Sequence, residues 1–307
     1  ASDILSGGAR SKDGGVRLIS SGTDLGVVHN KRKLRLNSLL SLHLVPGLEK
    51  IDVTKERVRV GARASLTHVR TAMKNSDPEF ARFLDLFASP QIKNVATLVG
   101  NVANASPIGD TPPFLLSMDA QVVAQGPRVQ RKIPIAEFFL DYRKTALKKG
   151  ELIVAIEWKP RGAGDFLRLY KVSQRKDLDI SAVSCAFRVV WGKEGVVKDA
   201  RIALGGVAAT PLRFLKVEAA LRGQVWNDEL RVAASQVLQN EMKPLADLRG
   251  TAAFRRVLVE NLFRRFFREA AAAREGLSSA GEVMKASTSA RGGQGPARTR
   301  KKPGRRK

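Results

Sequence analysis

The chain has 307 residues, 43% of them hydrophobic, which is enough for more than one domain core and excludes a wholly disordered protein. Lys and Arg outnumber Asp and Glu by 54 to 29, a formal charge of +25 that points to an anionic ligand or partner; more than a third of the excess sits in residues 285–307, which carry no acid. The single cysteine, Cys185, excludes an internal disulfide and an iron–sulfur cluster held by this chain, which takes about four thiolates, and fits a reducing compartment such as the cytoplasm.

In chain order, "VRLISSGTDLGVV" (16–28) reads as a strand, a tight turn and a following element, the first candidate for a phosphate cradle. "LEKIDVTKERVRVGARASLTHVRTAMK" reads as two short strands joined at "TKER" and a helix near 66–75 that carries His68. The spacing of Phe80, Phe83, Leu84 and Phe87 predicts a helix over 77–88 with its rings in the core. After the run "ATLVGNVANASPIGD" (96–110), "FLLSMDAQVVAQG", "RKIPIAEFF" and "ELIVAIEWK" read as strands with a short helix. From about residue 163 the pattern becomes strand, charged loop, strand, a hairpin at "GKEG" and strand. Thr210 and Pro211 read as the cap and first turn of a helix, and helices follow at 228–240 and 251 to about 274. On the last of these, Phe254, Val257, Leu258, Leu262 and Phe266 read as the buried side and Arg255, Arg256, Arg264, Arg265 and Arg268 as the solvent side. The class is α+β rather than repeating βαβ. The 276–307 stretch, poor in large apolar residues, reads as a disordered basic tail that could also contact nucleic acid or an acidic membrane surface. No apolar run approaches the roughly 18 residues of a membrane span.

Conventional catalytic machinery is absent from the pattern. His29, His43 and His68 have no metal-type partners nearby, and no nucleophile elbow, P-loop or G-x-G-x-x-G turn occurs, so any hard chemistry belongs to a cofactor. Residues 96–110 hold no positive charge. There Gly100 bares its backbone, Thr97, Asn101, Asn104 and Ser106 offer neutral hydrogen bonds, and the Asp110 carboxylate would accept from a sugar or ribityl hydroxyl. A dinucleotide fits these features, and an ordinary polar loop does too.

Taken with "LISSGTDLG" (18–26), the run "FASPQIKNVATLVGNVANASPIGD" (87–110) resembles the two FAD-contacting segments of molybdenum hydroxylase flavoproteins, the xanthine dehydrogenase family. The resemblance continues through "FFLDYRKTALKKGELI", "YKVSQRKDLDIS", "ARIALGGVAATPLR" and "DLRGTAAFRRVLVENLFRRFF", covering roughly 16–270, and is nearest to the small-subunit type of bacterial xanthine dehydrogenases without its iron–sulfur domain. It implies a two-lobed FAD-binding domain of the vanillyl-alcohol-oxidase type over 1–162. A small domain of a three-stranded antiparallel sheet with helices follows over 163–275, then the tail. The first loop, Ser20, Ser21, Gly22, Thr23, Asp24, Leu25 and Gly26, would wrap the pyrophosphate, with Thr97, Gly100, Asn101, Asn104 and Asp110 opposite. Ile153 would touch the cofactor, and Phe87 and Lys171 would flank the flavin ring.

By the same resemblance, electrons arrive singly from [2Fe–2S] clusters of a partner subunit or domain, which a molybdenum-cofactor large subunit reduces, and leave from flavin N5 as a hydride to NAD⁺. The substrate side tilts toward purines, hence purine catabolism, with carbon monoxide, aldehyde, nicotinate and aromatic acyl-CoA enzymes as alternatives. A flavin-free scaffold is a further alternative, because Ser21 and Val99 stand where the family usually has Gly. A Cβ there is expected to crowd a phosphate or to meet a loop that prefers positive φ.

Overall fold

A computed structural model describes residues 16–32, 36–162, 164–175, 178–244 and 246–291, with backbone alone from 277 to 291. The Gly-rich segment 1–15 and residues 292–307 of the basic tail lie outside the described residues.

The first lobe begins with β1 (Arg17–Ile19), the helix Thr23–Arg32 and β2 (Leu39–Ser41), which pairs in parallel with β1. The second lobe is a five-stranded antiparallel sheet of β3 (Ile51–Val53), β4 (Val58–Gly61), β9 (Leu152–Trp158), β5 (Gln121–Gln125) and β6 (Gln130–Pro134), in that order. A small hairpin, β7 (Phe139–Asp141) and β8 (Lys144–Thr145), stands beside it. Four helices, Leu66–Ser76, Pro78–Leu86, Pro90–Val95 and Leu98–Ala103, connect β4 to the buried helix Thr111–Ser117. Each of the first four starts on a side-chain cap: Ser65, Asp77, Ser89 and Thr97 accept from the N–H three residues on, satisfying donors that the first turn leaves open. Phe80 stacks on Phe114 with ring centroids 3.7 Å apart, and Trp158 meets both rings edge-on.

The second domain is a sheet of β10 (Asp165–Val172), β11 (Val183–Trp191), β12 (Val197–Gly205) and the two-residue β13 (Leu212–Arg213), all antiparallel. Strand alternation divides its work between two faces. Leu167, Leu169, Ala186 and Ala203 join the core of the first domain, while Tyr170, Cys185, Phe187, Val189, Ile202 and Leu204 join a second core under the helices Leu215–Leu221, Asp228–Glu241 and Ala252–Arg291. Trp226 stacks on Phe267 at 3.8 Å and donates its indole N–H to the Phe267 carbonyl. The domains are sewn further at the β10 edge, where Glu79 accepts from the Leu169 N–H and Arg82 donates to the Leu169 carbonyl.

Several sequence expectations are corrected. The expected three strands are joined by a fourth: Thr210 and Pro211 do not open a helix, because Leu212 and Arg213 pair with Leu204 and Ala203 and the helix starts at Leu215. On the last helix the buried face is Arg255, Val259, Phe263, Phe266, Phe267 and Ala270, whereas Phe254 and Val257 face solvent. The phase is turned because Arg255 finds partners inside the protein. That helix runs on to Arg291, so its backbone enters the stretch expected to be disordered. Among the described residues no helix is long and apolar enough to cross a membrane.

Candidate functional site

The stretch 96–110 is not simply a loop: residues Leu98–Ala103 form a helix too short for periodicity to reveal. Leu98, Val99 and Val102 point into the core, leaving Gly100 and Ala103 exposed as a bare strip. Thr97, which is buried, spends its hydroxyl on the Gly100 N–H at 2.9 Å. The Asn101 side-chain oxygen accepts from the Thr111 N–H and hydroxyl, capping the next helix where Asp110 makes no cap. Asn104 reaches across to the first turn, its Nδ2 donating to Asp24 Oδ1 at 3.0 Å.

The first turn is thereby brought opposite. Gly22 takes φ +75°, a left-handed conformation that glycine adopts without strain, and leads into the helix Thr23–Arg32. The amino end of this helix and the hydroxyls of Ser21 and Thr23, which have no partner among the described residues, are available to an anion. A Cβ at Gly26 would meet nothing within 4 Å, so the backbone there faces open space. Ser20 donates to the Ala62 carbonyl, while the Leu66 N–H donates to the Ala96 carbonyl. Both turns therefore rest on residues 62–66, a support that sequence reasoning missed; its signal was the small-residue pattern "GARAS" between a strand and a capped helix.

Neither departure from family glycines strains the backbone. Positive φ falls on Gly22 and not on Ser21 or Val99, and the Val99 side chain is buried in the core.

The ring-flanking candidates are more deeply set. Lys171 is not a solvated edge lysine: Nζ donates to Asp110 Oδ2 at 2.8 Å and to Ser181 Oγ at 2.7 Å, and Ser181 donates to Asp110 Oδ1. The lysine and carboxylate side chains keep 6% and 5% of their exposure, which makes them a buried ion pair between the two domains. Asp110 therefore uses its acceptors within the protein. Phe87 is partly buried against the first core, and Ile153 lies within it at 5% exposure. Just before Phe87, the end of the helix Pro78–Leu86 is tied off by Lys93, a residue the sequence did not flag, whose buried Nζ donates to the carbonyls of Leu84 and Asp85; desolvation by burial pulls its pKa below the usual lysine value. Burial pushes the Cys185 thiol well above its ordinary value, leaving it unreactive on its central strand.

Two open grooves of about 640 and 540 Å³ lie elsewhere, along the last two helices, lined by Arg231, Gln239, Arg264 and Arg268 among others. They lack the bare backbone of the facing turns.

The facing turns coincide with a known module. Residues 5–158 match the family described as FAD binding domain in molybdopterin dehydrogenase, and residues 168–270 match the CO dehydrogenase flavoprotein C-terminal domain. The chain belongs to this flavoprotein family. It is 39% identical over 193 residues to nicotinate hydroxylase of Emericella nidulans (61% of this chain, 14% of that protein) and 30% identical over 267 residues to xanthine dehydrogenase 1 of Arabidopsis thaliana (82% and 20%). It thus spans a fifth or less of the length of these relatives. A solved carbon monoxide dehydrogenase chain from Hydrogenophaga pseudoflava superimposes with a TM-score of 0.79 at 28% identity, covering 85% of this chain and 91% of that one.

The exposed Gly100 and Ala103, the open backbone at Gly26 and the hydroxyls of Ser21 and Thr23, without partners among the described residues, fit an extended dinucleotide, and FAD is the family's cofactor.

Proposed function

We propose that the chain is the electron-transfer subunit of a molybdenum hydroxylase, with FAD extended between Ser20–Gly26 and Thr97–Asp110. The observation that carries this reading is the pair of turns, 80 residues apart, facing each other through Asn104 and Asp24 with bare backbone on both sides. FAD, when bound, would couple one-electron transfer from a partner's [2Fe–2S] clusters to two-electron reduction of NAD⁺.

This chain's own residues would bind and orient. The amino end of Thr23–Arg32 and the hydroxyls of Ser21 and Thr23 take the pyrophosphate, the small strip at Gly100 admits the nucleotide chain, and Phe87 packs beside the ring. Lys171 would stand near the ring as the cationic half of its buried pair with Asp110, its ammonium oriented by Asp110 and Ser181. The molybdenum cofactor and the clusters belong to partner subunits. A module that is a fifth of one relative and nine-tenths of a separate solved chain supports this division of labour. Xanthine dehydrogenase among the relatives keeps a purine as our choice of substrate for the complex.

The test is direct. The purified chain should be yellow or take up FAD at about one per chain, and denaturation should release FAD rather than FMN. A folded, colourless chain that refuses added FAD would leave only the scaffold reading.

A further inference from the structure

The segment Asn104–Asp110 is shaped both by its own turn hydrogen bonds and by the second domain, which holds it at Pro107 and Asp110. Pro107 cannot donate, and its carbonyl accepts from the Gly206 N–H at 2.7 Å. Gly205 packs so closely that a Cβ there would stand 2.7 Å from Ser184 Oγ, 3.3 Å from the Pro107 oxygen and 3.4 Å from Pro113 Cγ. Gly206 sits at φ +86°, where a Cβ would come within 2.4 Å of the Ala182 oxygen, so glycine is required. A glycine so placed has wide backbone freedom, and something must hold it. Its carbonyl is gripped on the far side by Arg255: Nη1 donates to the Gly206 oxygen and Nη2 to Asp247 Oδ1 at 2.6 Å, with the arginine side chain 3% exposed.

Resting on the FAD reading above, we propose that Arg255 is a positioning residue for the cofactor. By fixing Gly206 it fixes Pro107, and with it the presentation of Asn104 to the ligand and the placement of the Asp110–Lys171 pair behind it. An arginine on the last helix, remote in sequence from both turns, thereby tunes cofactor affinity. Without it the Gly206 carbonyl is buried and unpaired, and the glycine is free to reorient, carrying Pro107 with it.

The test uses the intact chain, freed of flavin and titrated with FAD, with flavin fluorescence for affinity and visible circular dichroism for ring environment. Arg255→Met should weaken FAD binding by about tenfold or more and alter the dichroic band. Arg255→Lys, which keeps the charge for Asp247 but loses the two-pronged grip, should fall between. Gly205→Ala pushes on the same segment from the opposite side and should weaken binding independently, which covers the case in which Arg255→Met fails to fold. Val259→Ala, one turn along the same buried face, should lower the unfolding temperature and leave FAD affinity unchanged. FAD affinity in the Arg255 variants and Gly205→Ala within about twofold of the parent, with an unchanged dichroic band, overturns the inference. A parent chain that takes up no FAD overturns the functional reading first, and this inference with it.

Discussion

The two turns that face each other are built on unequal foundations. The first hangs from a three-residue strand with one parallel partner, its residues half-buried or exposed, and its side-chain hydrogen bonds to the described residues run through Ser20 and Asp24. The second buries Thr97, Val99, Val102, Ala105, Gly109 and Asp110, and is bonded to Ser65 and Leu66 on one side and to the second domain on the other. One half of the proposed cleft is thus the more deeply anchored, while the other makes fewer contacts among the described residues. Ordering on ligand binding should fall on the first turn, where local opening costs least.

The most forceful way to break this comparison is to remove the anchor of the second turn. Lys171→Met leaves the Asp110 carboxylate buried with only Ser181 to donate to it, and losing one partner of a buried pair costs about 3–5 kcal/mol. The loss should appear as a lower urea midpoint, and the double change Lys171→Met with Asp110→Asn should recover most of it because no lone charge remains. A loss below about 1 kcal/mol would mean that the ion pair does not hold the segment, and the inequality between the turns would disappear.

A smaller effect on stability should sharpen the other half. Gly22→Ala forces an L side chain into the left-handed region, at about 1–2 kcal/mol, with its Cβ 3.0 Å from Ile19 Cδ1. A loosely held turn can relax away from that strain, so the urea midpoint should move less than this cost implies. FAD affinity, which needs the turn closed, should fall by about tenfold. Equal affinities for parent and variant would show that the turn does not contact the ligand.

How far the sequence foretold this arrangement differs by length scale. Helices with strong periodicity or explicit caps, such as Leu66–Ser76 and Asp228–Glu241, were legible, as were the long strands and the two turns rich in small and polar residues. Six residues of helix at Leu98–Ala103 were not, since fewer than two turns give no periodic signal. The last helix was read partly out of phase: Phe266 is buried and Arg264, Arg265 and Arg268 are exposed as expected, but Arg255 was placed in solvent, and its burial is offset by Gly206 and Asp247, 49 and 8 residues away. The destination of Lys171 had the same cause. Its row on β10, Leu167 and Leu169, is apolar and faces the first domain, but its carboxylate lies 61 residues back. Long-range pairing of charges leaves no mark in local composition.

The weakest contact gives the finest comparison. The Asn104–Asp24 hydrogen bond is the direct link between the turns, yet it is exposed, so water competes for both groups and its net worth should be near the lower end of the usual range, about 0.5 kcal/mol. A double-mutant cycle with Asn104→Ala and Asp24→Ala measures that coupling without the desolvation terms each single change carries. In the flavin-free chain the coupling should be barely resolvable, because the first turn is free to move away. With FAD bound the turn is held in place and the coupling should rise. The same coupling in both states would show that the first turn is already as fixed as the second, and that nothing in the cleft waits for its ligand.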